Sequence, residues 1–251
     1  MILRKIFISL FSALFLFILL PVAADAGRGT ARDLAAAQDR TRSIEDRSRT
    51  ILVLGRSGDQ KASGPLLQIL RDPAEPRRVR ASAVMALAQI GQPRAEILST
   101  YEAVYKSPRT GENLRYTILL SLGTLKATES YQLLADALSN RDSMIRFKAA
   151  QALGDFQSEE ALNLLASRLE KEPDRLVRAQ IVRSLGLSEN AFVEGVLSYS
   201  LKTDQAAVVR YNAAVALRNF KALGEEGRDA LQAAREDSSS MVRDAVRGTR
   251  P

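Results

Sequence analysis

The feature that most constrains this chain is an arginine that returns about every 32 residues. Arg47, Arg80, Arg115, Arg146, Arg178, Arg210 and Arg243 are separated by 33, 35, 31, 32, 32 and 33 positions. In six copies a leucine follows seven residues later: Leu54, Leu87, Leu122, Leu153, Leu185 and Leu217. The position after that is small in Gly55, Ala88, Gly123, Gly154 and Gly186, and Arg218 breaks the rule. An aliphatic residue precedes the arginine from the second copy on: Val79, Leu114, Ile145, Val177, Val209 and Val242. A period of this size marks a two-helix repeat, in which each unit hides its apolar face against the next.

Each unit also carries a helical pattern. Around Arg146, the apolar residues Ile145, Ala149, Ala152, Leu153 and Phe156 recur at spacings of three and four, and Ala161, Leu164, Leu165 and Leu169 form a second stripe. Ser158 lies between the stripes as an N-cap, followed by Glu159 and Glu160 in the first turn, where the helix dipole favours carboxylates. Thr128-Glu129, Ser188-Glu189 and Gly224-Glu225-Glu226 stand at the same place in their copies. The other link is rich in Asp and sometimes Pro: Asp72-Pro73, Asn140-Arg141-Asp142, Pro173-Asp174, Asp204 and Asp237. Such residues stop one helix and cap the next. No run shows the alternation of a half-buried strand. The expectation is an all-α superhelix of about six helix pairs over residues 43–248, with 27–42 a linker or N-terminal capping helix and 249–251 a C-terminal tail.

The motifs Val79-Arg80…Ala83…Ala86-Leu87-Ala88, Ile145-Arg146…Ala149-Ala150…Ala152-Leu153-Gly154 and Val209-Arg210…Ala213-Ala214…Ala216-Leu217 resemble HEAT repeats, in the short form named after phycobilisome lyases. The resemblance covers roughly residues 43–248. It implies a right-handed solenoid with Leu-rich helices outside and Val-Arg helices lining the inner curve. It also implies a structural ladder in which each turn Asp pairs with the Arg of its own or a neighbouring unit. The candidate rungs are Asp72 with Arg80, Asp142 with Arg146, Asp174 with Arg178, Asp204 with Arg210, and Asp237 with Arg243. The 108–115 copy offers Glu112 instead, and Arg47 has only Asp46 nearby.

The first 26 residues read as a secretory signal peptide. Arg4 and Lys5 precede an uncharged run from Ile6 to Leu20, and Pro21 leads to an Ala24-Asp25-Ala26 cleavage site. The competing reading is an uncleaved membrane anchor, for which the run is short of the ~20 apolar residues needed to span. Export to a periplasmic or secreted location follows from the first reading. Without residues 1–26 the chain keeps 34 basic and 28 acidic residues, a net charge of +6. That charge favours an anionic envelope polymer or membrane surface as an alternative partner; nucleic acid is not expected outside the cytoplasm.

The chain has no His and no Cys. Disulfides, thiolate nucleophiles and Ser-His-Asp triads are therefore excluded, and zinc would need carboxylates alone. The dinucleotide, P-loop and zinc-protease motifs are missing. Phycobilin lyases act inside the cell, which export argues against. Deoxyhypusine hydroxylases hold iron through His-Glu pairs, and that implication fails at every His position. No enzyme activity and no cofactor are expected; by analogy with the lyases, an accessory subunit of an enzyme is a further alternative. The residue after the arginine is Tyr116, Phe147 or Tyr211 in three units, and Arg183 lies on the same kind of helix in another. These four are the candidate contacts for a protein or peptide partner on the inner curve.

Overall fold

The computed structural model describes residues 28–248, which fold into helices without strands. Two sets alternate along the chain. The Leu-rich set is α1 (Arg28–Gln38), α3 (Ser63–Arg71), α5 (Arg94–Lys106), α7 (Tyr131–Ala137), α9 (Glu159–Leu169), α11 (Ala191–Thr203) and α13 (Glu225–Ala233). The arginine-bearing set is α2 (Ile44–Ser57), α4 (Arg77–Ile90), α6 (Glu112–Thr124), α8 (Ser143–Phe156), α10 (Arg175–Leu185), α12 (Ala207–Asn219) and α14 (Ser240–Arg247). The described residues thus make seven pairs rather than six, because residues 28–38 are a full outer helix that packs on α2. The 1–26 segment and the 249–251 tail lie outside the described residues. No helix among the described residues is long and apolar enough to cross a membrane.

The helix ends follow the local chemistry. Asp142 accepts from the Met144 and Ile145 amides, and Asp174 from those of Leu176 and Val177, so these two turn residues start α8 and α10. Ser158 and Asn190 do the same for α9 and α11. Asn190, rather than Ser188, is therefore the cap in that copy. At α13 the cap comes from another unit. The buried Glu194 of α11 accepts from the Gly224 amide at 3.0 Å and the Gly227 amide at 3.1 Å.

The arginine helices pack one on the next in unbroken order, α2 through α14. Among the Leu-rich helices α11 and α13 touch closely, whereas α1–α3 and α3–α5 meet only lightly. A two-layer stack that is tighter in one layer curves toward it, which puts the arginine helices inside. The small residue eight places after the arginine permits that closeness. A Cβ on Gly55 would lie 2.6 Å from Ala86 Cα, and on Gly123 2.8 Å from Ala152 Cα. On Gly154 and Gly186 it would lie 2.6 and 2.5 Å from the Cβ atoms of Ser184 and Ala216. The exception, Arg218, turns its guanidinium onto the Ala245 carbonyl and closes the C-terminus of α14. Between the layers runs one continuous core, including the fully buried Ile51, Leu54, Leu66, Leu87, Leu122, Leu153 and Leu217. A Leu→Ala change at such a site costs about 2–5 kcal/mol.

Candidate functional site

The seven repeated arginines divide into two groups. In α8, α10, α12 and α14 the Nη1 group donates to two carbonyls of the turn before its own helix. Arg146 reaches Asn140 and Arg141, Arg178 reaches Glu172 and Pro173, Arg210 reaches Asp204 and Gln205, and Arg243 reaches Asp237 and Ser238. In α8, α10 and α12 the remaining fork points forward into the following unit. Arg146 grips Glu172 at 2.7 and 2.9 Å, Arg178 grips Asp204 at 2.8 and 3.1 Å, and Arg210 grips Asp237 at 2.7 and 2.8 Å. Two parallel charge-assisted bonds make these the strong form of ion pair.

In α2, α4 and α6 the arginine is turned differently. Nε donates to the carbonyl ten residues earlier: Arg47 to Ala37 at 2.8 Å, Arg80 to Leu70 at 2.9 Å, Arg115 to Tyr105 at 3.0 Å. Only Arg47 then finds a carboxylate, Glu75 of the next unit, 2.8 Å from Nη2 with both side chains almost wholly buried. Arg80 and Arg115 find none.

The expected ladder is corrected accordingly. No arginine pairs with the carboxylate of its own turn. Asp204 and Asp237 serve the preceding units' Arg178 and Arg210, and only their carbonyls meet Arg210 and Arg243. Asp174 caps α10, and Glu172 two residues earlier takes Arg146. Asp142 caps α8 and accepts from the Tyr116 hydroxyl at 2.9 Å. Asp72 pairs with Arg40 instead of Arg80. The geometric reason is reach. A short Asp at a helix start bends back to its own amides, which leaves the guanidinium to extend across the unit boundary.

These contacts set the ionisation of the carboxylates. Burial pushes Glu172 up, but hydrogen bonds from Arg146, the Asp174 amide and Arg168 outweigh it and hold it below the usual range. The hydrogen bonds from Arg210 hold Asp237 low. Burial lowers Arg80, with Asp72 only partly opposing it. Asp155 is pushed up by burial, with Lys126 acting against it.

The four candidate contact residues do not form one open groove. Tyr116, Phe147 and Tyr211 are half-buried and packed against the core, and Arg183 is exposed. The exposed aromatics lie in the other layer. Phe192 and Tyr199, 49% and 67% exposed, flank a groove of about 870 Å³ between α9 and α11, with Asn163, Ser167 and Glu170 opposite. Sequence reasoning missed this pair. Its signal was available: two aromatics seven apart on a Leu-rich helix, off the Val193, Leu197 and Leu201 stripe. Among the described residues, no group of three acidic side chains is placed to hold a metal ion.

A two-layer α-solenoid stitched by forward-reaching arginines is the class that this geometry defines. The chain belongs to the HEAT-repeat family, whose pattern matches residues 32–98 and 109–186, more than half of its length. The alternation of Leu-rich and arginine-bearing helices continues through α11–α14. No curated protein sequence matches the chain. Among solved structures, it is similar to the complex of CpcE and CpcF of phycocyanin lyase from a Nostoc species. The identity there is 17%, 92% of this chain and 98% of that chain are covered, and the TM-score is 0.54. It is also similar to human deoxyhypusine hydroxylase in complex with glycerol, at 23% identity over 87% and 82% of the two chains, with a TM-score of 0.42. At these identities the likeness concerns the fold.

Proposed function

We propose that the protein is an exported, non-enzymatic HEAT-repeat scaffold that binds another protein. The observation that carries this is the α9–α11 groove. Large aromatics exposed together beside a polar rim are what protein contacts use as anchors. The lack of His and Cys removes imidazole bases and thiolate nucleophiles, which is in keeping with a binding role. The inner layer is a second surface for the same role, carrying the exposed Arg183 and the half-buried Tyr116, Phe147 and Tyr211. The +6 charge of residues 27–251 supports a second reading, attachment to an anionic envelope surface; such binding would weaken steeply with added salt.

The test is affinity purification from the cell envelope with mass spectrometry. The double variant Phe192→Ala/Tyr199→Ala loses the specific partner while its melting temperature stays within a few degrees of wild type. A partner retained by that variant and lost by Tyr116→Ala/Tyr211→Ala moves the contact to the inner layer. A partner retained by both and lost at high salt favours the anionic-surface reading. Export is tested on the same material by intact mass, with a chain starting at Gly27 expected. An unprocessed N-terminus on cytosolic protein contradicts it.

A further inference from the structure

The two rungs without a carboxylate are not alike. Arg115 spends two groups on the carbonyls of Tyr105 and Ser107. Arg80 is 93% buried by its 7% exposure, and only its Nε has a partner, the Leu70 carbonyl. Arg47 shows how such an arginine is normally completed: same Nε bond, then Glu75 on Nη2. Glu75 stands five residues before the next repeated arginine, Arg80. The position five before Arg115 is Thr110, and its neighbour is Arg109. At this boundary a hydroxyl and a second cation therefore stand where the other unit supplies an acid.

The surroundings match a ligand that brings its own negative charge. A cavity of about 480 Å³ opens between α3, α5 and the 107–110 turn, and Arg71, Arg80, Arg109, Ser99, Ser107 and Thr110 are among its lining residues. No Asp or Glu lines it. Thr110 is 4% exposed, and its hydroxyl oxygen is buried with no hydrogen-bonding partner. Arg71 is already oriented by Glu96 at 3.0 Å and by the Thr100 hydroxyl at 2.8 Å. The terminal nitrogens of Arg80 are without a partner and free to meet an acceptor in the cavity, and the buried unbonded Thr110 hydroxyl carries a desolvation cost that such an acceptor would relieve.

We propose that this cavity is an oxyanion-binding site between the second and third units. A carboxylate or phosphate group takes the place that Glu75 holds on Arg47, accepting from Arg80, Arg109 and the Thr110 hydroxyl. Planar guanidinium groups suit such acceptors because they donate two parallel bonds. Binding ties α4 to the 107–110 turn and completes the ladder from outside the chain.

Calorimetry on the purified protein tests this with inorganic phosphate and, separately, acetate, against chloride at matched ionic strength. A saturable rise in melting temperature with phosphate or acetate, and none with chloride, is expected; whichever anion acts identifies the source. Arg109→Ala weakens that binding at least tenfold and leaves the anion-free melting temperature nearly unchanged. Thr110→Glu supplies the missing acid, raises the anion-free melting temperature and abolishes the response. No response to either oxyanion overturns the proposal, as does an equal response in wild type and a folded Thr110→Glu. If Thr110→Glu fails to fold, an unchanged affinity in Arg109→Ala overturns it.

Discussion

The boundaries crossed by Arg146, Arg178 and Arg210 and those crossed by Arg80 and Arg115 use the same residue at the same place in the repeat. In the C-terminal units the guanidinium bonds its own turn on one edge and an acid of the following unit on the other. In the second and third units it bonds only carbonyls. The arginine is thus constant, and the acid decides what it does. With an acid it joins two units; without one, as at Arg80, its terminal nitrogens are left without a partner beside a cavity. The difference teaches that a repeat can keep its fold while one boundary gives up internal pairing and gains room for a ligand.

The comparison is broken hardest at Glu172, whose side chain has no exposure and is shared by Arg146 and Arg168. Glu172→Ala strands a buried guanidinium and lowers unfolding free energy by about 3–5 kcal/mol in urea melts. Arg178→Leu strands Asp204, which is less buried, and costs somewhat less, about 2–3 kcal/mol. Arg115→Leu strands only two carbonyls and costs about 1–2 kcal/mol. If Arg115→Leu costs as much as Arg178→Leu, the distinction between the two groups fails.

Packing gives a further prediction. Gly154→Ala drives a methyl into Ser184 at a C-terminal boundary and costs about 1–3 kcal/mol. Gly64→Ala, where a Cβ meets nothing within 4 Å, costs nothing measurable or stabilises.

Acid sharpens the same contrast. Glu172 and Asp237 have folded-state values below their unfolded ones. Their contribution is therefore fully present above the unfolded carboxylate range of about 4 and is lost as pH falls through the lower folded values. Melting temperature accordingly drops below about pH 4, and Glu172→Gln flattens that drop. A wild-type profile with no loss on the acid side contradicts the pairing. A smaller effect than loss of a buried ion pair is expected for Tyr116→Phe, which removes one hydrogen bond to Asp142 and costs about 1 kcal/mol.

Much of the fold was legible because it rests on periodic residues. Leu54, Leu87, Leu122 and Leu153 recur at one offset, and all are core. The glycines after them were visible as a pattern, though the reason, contact with the following helix, needed the structure. The ladder was half legible. Its arginines were evident, yet Asp174 masked Glu172, because the Asp nearest a helix start prefers the cap and the carboxylate two residues earlier meets the neighbour. Glu75 went unnoticed because Asp72 drew the assignment, although Asp72 turns to Arg40 and Glu75 meets Arg47. The first unit offers only Asp46 near its arginine, yet Arg47 is ion-paired with Glu75 of the next unit. The site residues were least legible. An aromatic after the arginine reads as a surface anchor, but the close spacing of the inner helices half-buries Tyr116, Phe147 and Tyr211. The wider spacing of the outer helices leaves Phe192 and Tyr199 exposed.

That arginines bind forward, across the unit boundary, is tested most directly by a double-mutant cycle in urea on Arg178→Ala and Asp204→Ala, with Arg178→Ala and Asp174→Ala as its counterpart. A coupling of about 1–3 kcal/mol between Arg178 and Asp204, and additivity within about 0.5 kcal/mol for Arg178 and Asp174, is the expected result. Additivity in the first cycle with coupling in the second would place the pair inside one unit and contradict the account.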